Sequence, residues 1–404
     1  MDEYVPRHIE STIKMAHSQF KVVFLGGPRQ VGKTTMLKRL ADKMGMQYVT
    51  LDNLTERELA LSDPRLFLQR HVRPLLIDEI QYAPGLFSAI KELVDVHQAN
   101  GQYWLTGSQQ FSIMKGVQET LAGRIVILEL LGLSERESSL SLVTSPFEIS
   151  QIKNGTTGNT DIKVLYEKIF TGSFPVFSHT SPPNRELFYS SYIQTYIDRD
   201  IAALSGIGKV AEFHAFMRAC AARTSQVLNI SDTARDADVS SVTAKEWLSL
   251  LIGTGHVLLL PAYHSNRLKR EIKAPKLHFL DTGLASYLLR FPSASTLEAS
   301  MYAGGFFESF VVAQIHKSYL NAGKIAPMYH YRDSQKREVD IVLEHADGLE
   351  LIECKRSARL KPSDDLKHIK YLAHNLPVKN SAVVSLIERS VVTDEYSYIP
   401  FGLL

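Results

Sequence analysis

Two sets of side chains in this 404-residue chain have the types and spacing to do chemistry. The first reads Gly27, Pro28, Arg29, Gln30, Val31, Gly32, Lys33, Thr34, Thr35. Glycines at both ends of such a turn let backbone amides face a phosphate, and a helix starting just after them adds its positive N-terminal end. Lys33 would reach the β- and γ-phosphates of a nucleoside triphosphate as a point charge, and the Thr34 hydroxyl would bind Mg²⁺. Downstream, Asp78 and Glu79 end an apolar run at residues 73–80. Beside a phosphate cradle, Asp78 would hold the Mg²⁺ shell and Glu79 would orient and deprotonate the attacking water.

The second set is Glu308, Asp340, Glu353 and Lys355. Glu308 lies beside the apolar stripe of a helix, and Asp340 interrupts the apolar strand EVDIVLE. In LIECKRS the two-residue period places Glu353 and Lys355 on one strand face, with Ile352 and Cys354 on the other. Carboxylates on adjacent strands offer hard oxygen ligands to Mg²⁺ or Mn²⁺, and such a metal activates water against a phosphodiester. Lys355 would orient or activate that water. The competing reading makes these carboxylates surface charges paired with Lys355 and Arg356.

The elements that must position these residues can be read from periodicity. Short β-rich runs fall at 21–26, 47–51, 73–80, 102–106 and 124–130, alternating with helical spacing after the glycine turn and at 89–98. Strands alternating with helices predict a parallel α/β sheet covered on both faces. Residues 134–159 are rich in Ser, Thr and Asn and read as a lid-like insertion or mobile loop, and 164–204 turn helical. Three helices follow, at 211–224, 231–237 and 242–253, with Ser231 and Ser240 or Ser241 as caps. The strands HVLLLPAY and PKLHFLD come next, on either side of a basic turn. That is the layout of a winged helix. It would either contact DNA, with Arg267, Lys269, Arg270 and Lys273 on phosphates, or serve as a packing module. Lys245 is the one positive charge of residues 242–251, the helix that would enter the groove, which favours packing. The last block predicts an α-β-β-β-α-β order. The expected division is an ATPase domain with helical lid at 1–205, a winged helix at 206–292 and a third α/β domain at 293–404.

GPRQVGKTT, LLIDEIQYAP, WLTGSQQF, LAGR and GSFP together resemble AAA+-type P-loop ATPases, in particular a prokaryotic group that carries a C-terminal domain of unknown function. The resemblance implies that Thr106 and Ser108 sense the γ-phosphate. It makes Arg124 a sensor or a finger reaching a neighbouring subunit, and Arg199 a second finger candidate. It places residues 172–175 near the base, although Ser173 stands where a second glycine is usual. Glu308, Asp340 and Glu353-Cys354-Lys355 resemble the PD-(D/E)xK nuclease pattern of helix-borne Glu, strand Asp and Glu-x-Lys.

Bulk properties narrow the partners. With a net charge of +2, any nucleic-acid surface must be a local patch. Two distant cysteines argue against a disulfide framework, and neither a signal-like start nor a bilayer-length apolar run is visible. The expectation is a cytoplasmic, ATP-hydrolysing homo-oligomer, using ATP with Mg²⁺, whose nucleotide cycle gates a DNA nuclease that uses Mg²⁺ or Mn²⁺. The rival readings are an ATP-controlled switch and a DNA-binding motor, in both of which the C-terminal domain binds without cutting.

Overall fold

The computed structural model describes residues 4–107, 120–158, 161–197, 210–266, 270 and 273–404. The chain forms two compact units. The first comprises Met1–Leu133 with Gly253–Gly255 and Leu320–Lys324; the second comprises Ser134–Ile252, His256–Tyr319 and Ile325–Leu404.

The first unit is built on five parallel strands: β1 (Val22–Gly26), β2 (Gln47–Thr50), β3 (Leu75–Asp78), β4 (Tyr103–Thr106) and β5 (Ile125–Glu129). Their order in the sheet is β2-β3-β4-β1-β5. The runs VVFLG, LLID and YWLT are buried along their whole length, as strands of a parallel sheet covered on both faces must be. One face packs Phe24, Leu75, Ile77 and Tyr103 against Phe87 and Ile90 of the helix Leu86–Val96. The consequence for function lies in β4, which sits between β1 and β3. Leu25 pairs with Thr106 and Ile77 with Leu105, so Gly26, Thr106 and Asp78 finish side by side at one edge.

In the second unit the helices Val210–Ala222, Ile230–Asp236 and Ser241–Gly253 accompany three short antiparallel strands, β6 (Gln226–Val227), β7 (Val257–Leu260) and β8 (Lys276–Phe279), in the order β6-β8-β7. Phe213, Phe216 and Trp247 meet edge to face between the helices. The two-residue β6 is too short to show a period and was not foreseen. The cap expected of Ser231 belongs to Asn229, whose side chain accepts from the amides of Ser231 and Asp232.

A six-stranded mixed sheet completes the second unit: β9 (Met328–Arg332), β10 (Glu338–His345), β11 (Gly348–Cys354), β12 (Val378–Ser385), β13 (Val391–Val392) and β14 (Ser397–Pro400), ordered β13-β14-β12-β11-β10-β9. The helix Ala303–Asn321 precedes it and Lys367–Ala373 lies between β11 and β12, in the expected α-β-β-β-α-β order. Leu366, Ile369 and Leu372 pack on Val339, Leu351 and Val383 of the sheet.

Two expectations need correction. Residues 134–158 are not a loose lid. Ser134 caps a short helix, Phe147 and Ile149 are buried, and the amide of Ile149 donates to Glu350 Oε2 at 3.1 Å. The helices expected as the ATPase lid also belong to the second unit. Ile162–Thr171 packs on Thr282–Leu288 and Ala294–Glu298, and Tyr166 donates to the carbonyl of Ala303 at 2.8 Å. Among the described residues, no helix is long and apolar enough to cross a membrane.

Candidate functional site

The residues expected to bind nucleotide gather where β1, β4 and β3 end. Gly27 has φ +131°, and a Cβ there would lie 2.0 Å from the carbonyl oxygen of Leu130, so only glycine fits. Gln30 and Gly32 also take left-handed backbone, which folds residues 27–32 into a concave turn. Arg7 steadies this turn from outside, donating to the carbonyls of Val31 and Leu131 at 2.8 Å each. The helix Lys33–Lys43 starts at the turn, and its first helical bond runs from Met36 N to Gly32 O. The amides ahead of it, those of Thr34 and Thr35 included, lie in the first turn, where a helix presents donors to an anion. The Lys33 ammonium is buried and donates to the carbonyls of Gly27 at 2.8 Å and Pro28 at 2.6 Å.

Asp78 is brought to this turn. The Thr34 hydroxyl donates to its two carboxylate oxygens at 3.0 and 3.2 Å, and Tyr48 donates to it at 3.3 Å. Burial, and then the charge of Glu79, push the Asp78 carboxyl above its ordinary range. Glu79 sits in left-handed backbone at φ +56°, with Arg29 at 3.9 Å and the Gln81 amide on its carboxylate. The Thr106 hydroxyl is buried and has no partner among the described residues. A buried orphan hydroxyl between the cradle and Asp78 fits an incoming phosphate oxygen. Glycine turn, lysine, Thr34–Asp78 pair and Thr106 together suit a Mg²⁺-nucleoside triphosphate.

Ser108 and Arg199 lie outside the described residues. Arg124 does not join this site. It precedes β5, whose first residue pairs with the first of β1, so it stands at the opposite end of the sheet, roughly 16 Å away along five residues of strand. Its guanidinium is committed to Asp95 in a two-pronged ion pair. The sensor role is therefore withdrawn. Ser173 is likewise engaged elsewhere, its amide and hydroxyl donating to Asp281 at 2.7 and 2.8 Å.

The C-terminal carboxylates converge as well. Lys355 Nζ donates to Glu353 Oε2 at 2.9 Å, as the strand period requires. Asp340 lies one step along the ladder from the pair Ile341–Ile352, beside Glu353, and its Oδ2 accepts from the Cys354 amide at 2.9 Å. Glu308 arrives from the helix Ala303–Asn321 and accepts from the Ser225 hydroxyl at 2.7 Å. Burial, reinforced by the charge of Asp340, pushes the Glu308 and Glu353 carboxyls above their ordinary range.

One residue that sequence reasoning missed stands at the centre. Lys276, the first residue of β8, is 1% exposed, and its ammonium lies 2.8 Å from Glu308, 2.5 Å from Glu338 and 3.7 Å from Asp340. Burial alone would push this ammonium down, but the three carboxylates hold it above the ordinary lysine range. A lysine inside the apolar run KLHF was the available signal, since such a charge needs partners. Among the described residues, no three His, Cys, Asp or Glu side chains form a set ready to hold a metal ion. The three expected ligands are present, with a lysine among them.

The expected DNA contacts fare unevenly. Arg270 is buried, bidentate to Glu344 at 2.7 and 2.8 Å, and stacked on Tyr263 and Tyr329, so it is not offered to a phosphate. Arg267 and Lys269 lie outside the described residues, and Lys273 is exposed.

Residues 19–139 match a family model described as an AAA domain. That one stretch contains the glycine cradle, Asp78, Glu79 and Thr106, and the match supports a P-loop ATPase. Residues 162–295 and 303–404 match two domains of unknown function, DUF8612 and DUF4143. The uncharacterized proteins Rv2008c of Mycobacterium tuberculosis and Mb2031c of Mycobacterium bovis are each 28% identical over 340 residues, covering 84% of this chain and 71% of theirs. Among solved structures, a Walker-type ATPase of Pyrococcus abyssi aligns with TM-score 0.41 at 13% identity, over 71% of this chain and 97% of that one. The RuvB Holliday junction branch migration motor of Thermotoga maritima aligns with TM-score 0.31 at 15% identity, over 65% and 92%.

Proposed function

We propose that this chain hydrolyses ATP at the edge where β1, β4 and β3 end. One observation carries the reading: the glycine turn, Lys33, the Thr34–Asp78 pair and a Thr106 hydroxyl without a partner among the described residues meet at that edge. Thr34 and Asp78 would hold Mg²⁺, which when bound screens charge on the phosphates. Lys33 would exchange two loop carbonyls for phosphate oxygens, Thr106 would donate to the γ-phosphate, and Glu79 would take the proton of the attacking water. The experiment is phosphate release by the full chain, with Mg²⁺ and after chelation. Release should require Mg²⁺ and vanish in Lys33→Ala; release by Lys33→Ala at the parent rate would sink the reading.

A second reading is favoured by the meeting of Glu308, Asp340, Glu353 and Lys355 from three separate elements. The C-terminal module would cut nucleic acid, most simply DNA, with Mg²⁺ or Mn²⁺ on the carboxylates and Lys355 beside the water. Residues 210–279 would act as a winged-helix packing module, which fits their hydroxyl contacts to Glu308 and Ser309. Resemblance to AAA+ ATPases also leads us to propose ATP-dependent homo-oligomers, which sedimentation with and without ATP would detect. Plasmid and linear DNA, with Mn²⁺ and with or without ATP, test the cutting. If Asp340→Ala cuts as well as the parent, or if nothing is cut, the switch or motor reading replaces it.

A further inference from the structure

We propose that Lys276 is a built-in cation that keeps the C-terminal carboxylate site closed to divalent metal. The site opens only when this side chain leaves it. The inference rests on the metal-site reading given above and concerns its regulation.

Three observations support it. The first is position. The Lys276 ammonium contacts Glu308 at 2.8 Å and lies 3.7 Å from Asp340, on the oxygens that Mg²⁺ would take at about 2.0–2.1 Å. A monovalent and a divalent cation cannot share those oxygens without strong repulsion at low dielectric. The second is charge. The Lys276 ammonium is the buried cation facing the carboxylates of Glu308, Glu338 and Asp340, so its withdrawal leaves those carboxylates without that counter-charge, a deficit that a divalent cation would fill. The third is His278, two residues along β8 on the same strand face. It is fully buried, its Nδ1 is satisfied by Ser309 Oγ, and its Nε2 has no partner among the described residues. That atom stops 3.9 Å from Glu308 Oε1, a gap that no described residue fills and that suits a ligand atom.

The lysine is not a passing surface contact. It sits in the middle strand of a three-stranded sheet, paired with Val227 on one side and Leu260 on the other. Ser225, at φ +67°, binds Glu308 from the same module. Whatever shifts β8 therefore withdraws the ammonium and the Glu308 clamp together.

The test is Mn²⁺ titration of the full chain, followed by calorimetry and by Mn²⁺ electron paramagnetic resonance. Lys276→Gln should bind Mn²⁺ at least roughly tenfold more tightly than the parent, since an opposing buried charge has been removed. Adding Asp340→Asn should abolish the gain, and Mn²⁺ should raise the melting temperature of Lys276→Gln but not of the parent. Should that variant fail to fold, Lys276→Gln/Glu338→Gln removes one charge of each sign and must show the same tightening. Equal Mn²⁺ affinity in parent and variants overturns the gate and leaves the metal site standing. No Mn²⁺ binding by any of them overturns both.

Discussion

Gly27 is where a single atom decides the nucleotide site. An added Cβ would overlap the Leu130 carbonyl at 2.0 Å, in a backbone region that other residues enter at a cost. Gly27→Ala should lose ATP-analogue binding and destabilise the first unit by roughly 1–3 kcal/mol, as read by equilibrium binding and denaturant unfolding. A variant that binds normally would show that the turn is not the cradle. Arg124 gives the opposite expectation. Its pairing with Asp95 at the far end of the sheet means that Arg124→Ala should leave ATP-analogue binding in its own subunit unchanged, as equilibrium binding would read. At this scale the meeting of the glycine turn, Lys33, Thr34 and Asp78 was legible because a strand, a turn and a helix start can be read from local spacing. Arg124 was not, because the end of the sheet it occupies depends on strand direction, which a short tetrapeptide resemblance does not carry.

At the scale of elements, local capping and long-range burial both test the fold. Asn229 accepts from two amides of the helix it starts, so Asn229→Ala should cost about 1 kcal/mol. Ser231→Ala, one position inside the helix, should stay within about 0.5 kcal/mol. Phe147 is fully buried, and Phe147→Ala should cost about 3–5 kcal/mol in the second unit. A near-neutral result would restore the loose-lid reading of 134–158. That segment misled because its composition is polar, while the contacts that fix it, to Ser318 and Glu350, lie more than a hundred residues away. Strand alternation succeeded where the signal was local, putting Glu353 beside Lys355. It identified a strand at 276–279 but gave no sign that its lysine would meet a helix and a second sheet.

Across the whole molecule, sequence order conveyed the succession of α/β sheet, helical block with a small sheet, and C-terminal mixed sheet. It did not convey grouping. Helices expected to roof the ATPase are tied by Tyr166 and Ser173 to residues of the second unit, and such pairings have no period to read. The central claim remains ATP hydrolysis in the first unit, with Glu79 as the base. It is tested most directly by single-turnover conversion of ATP to ADP with enzyme in excess, comparing the parent with Glu79→Gln. Glu79→Gln keeps the shape of the side chain and removes its basicity. It should bind ATP with parent-like affinity and convert it about 10²–10⁴-fold more slowly. Conversion at the parent rate by a variant that binds ATP normally would contradict the account.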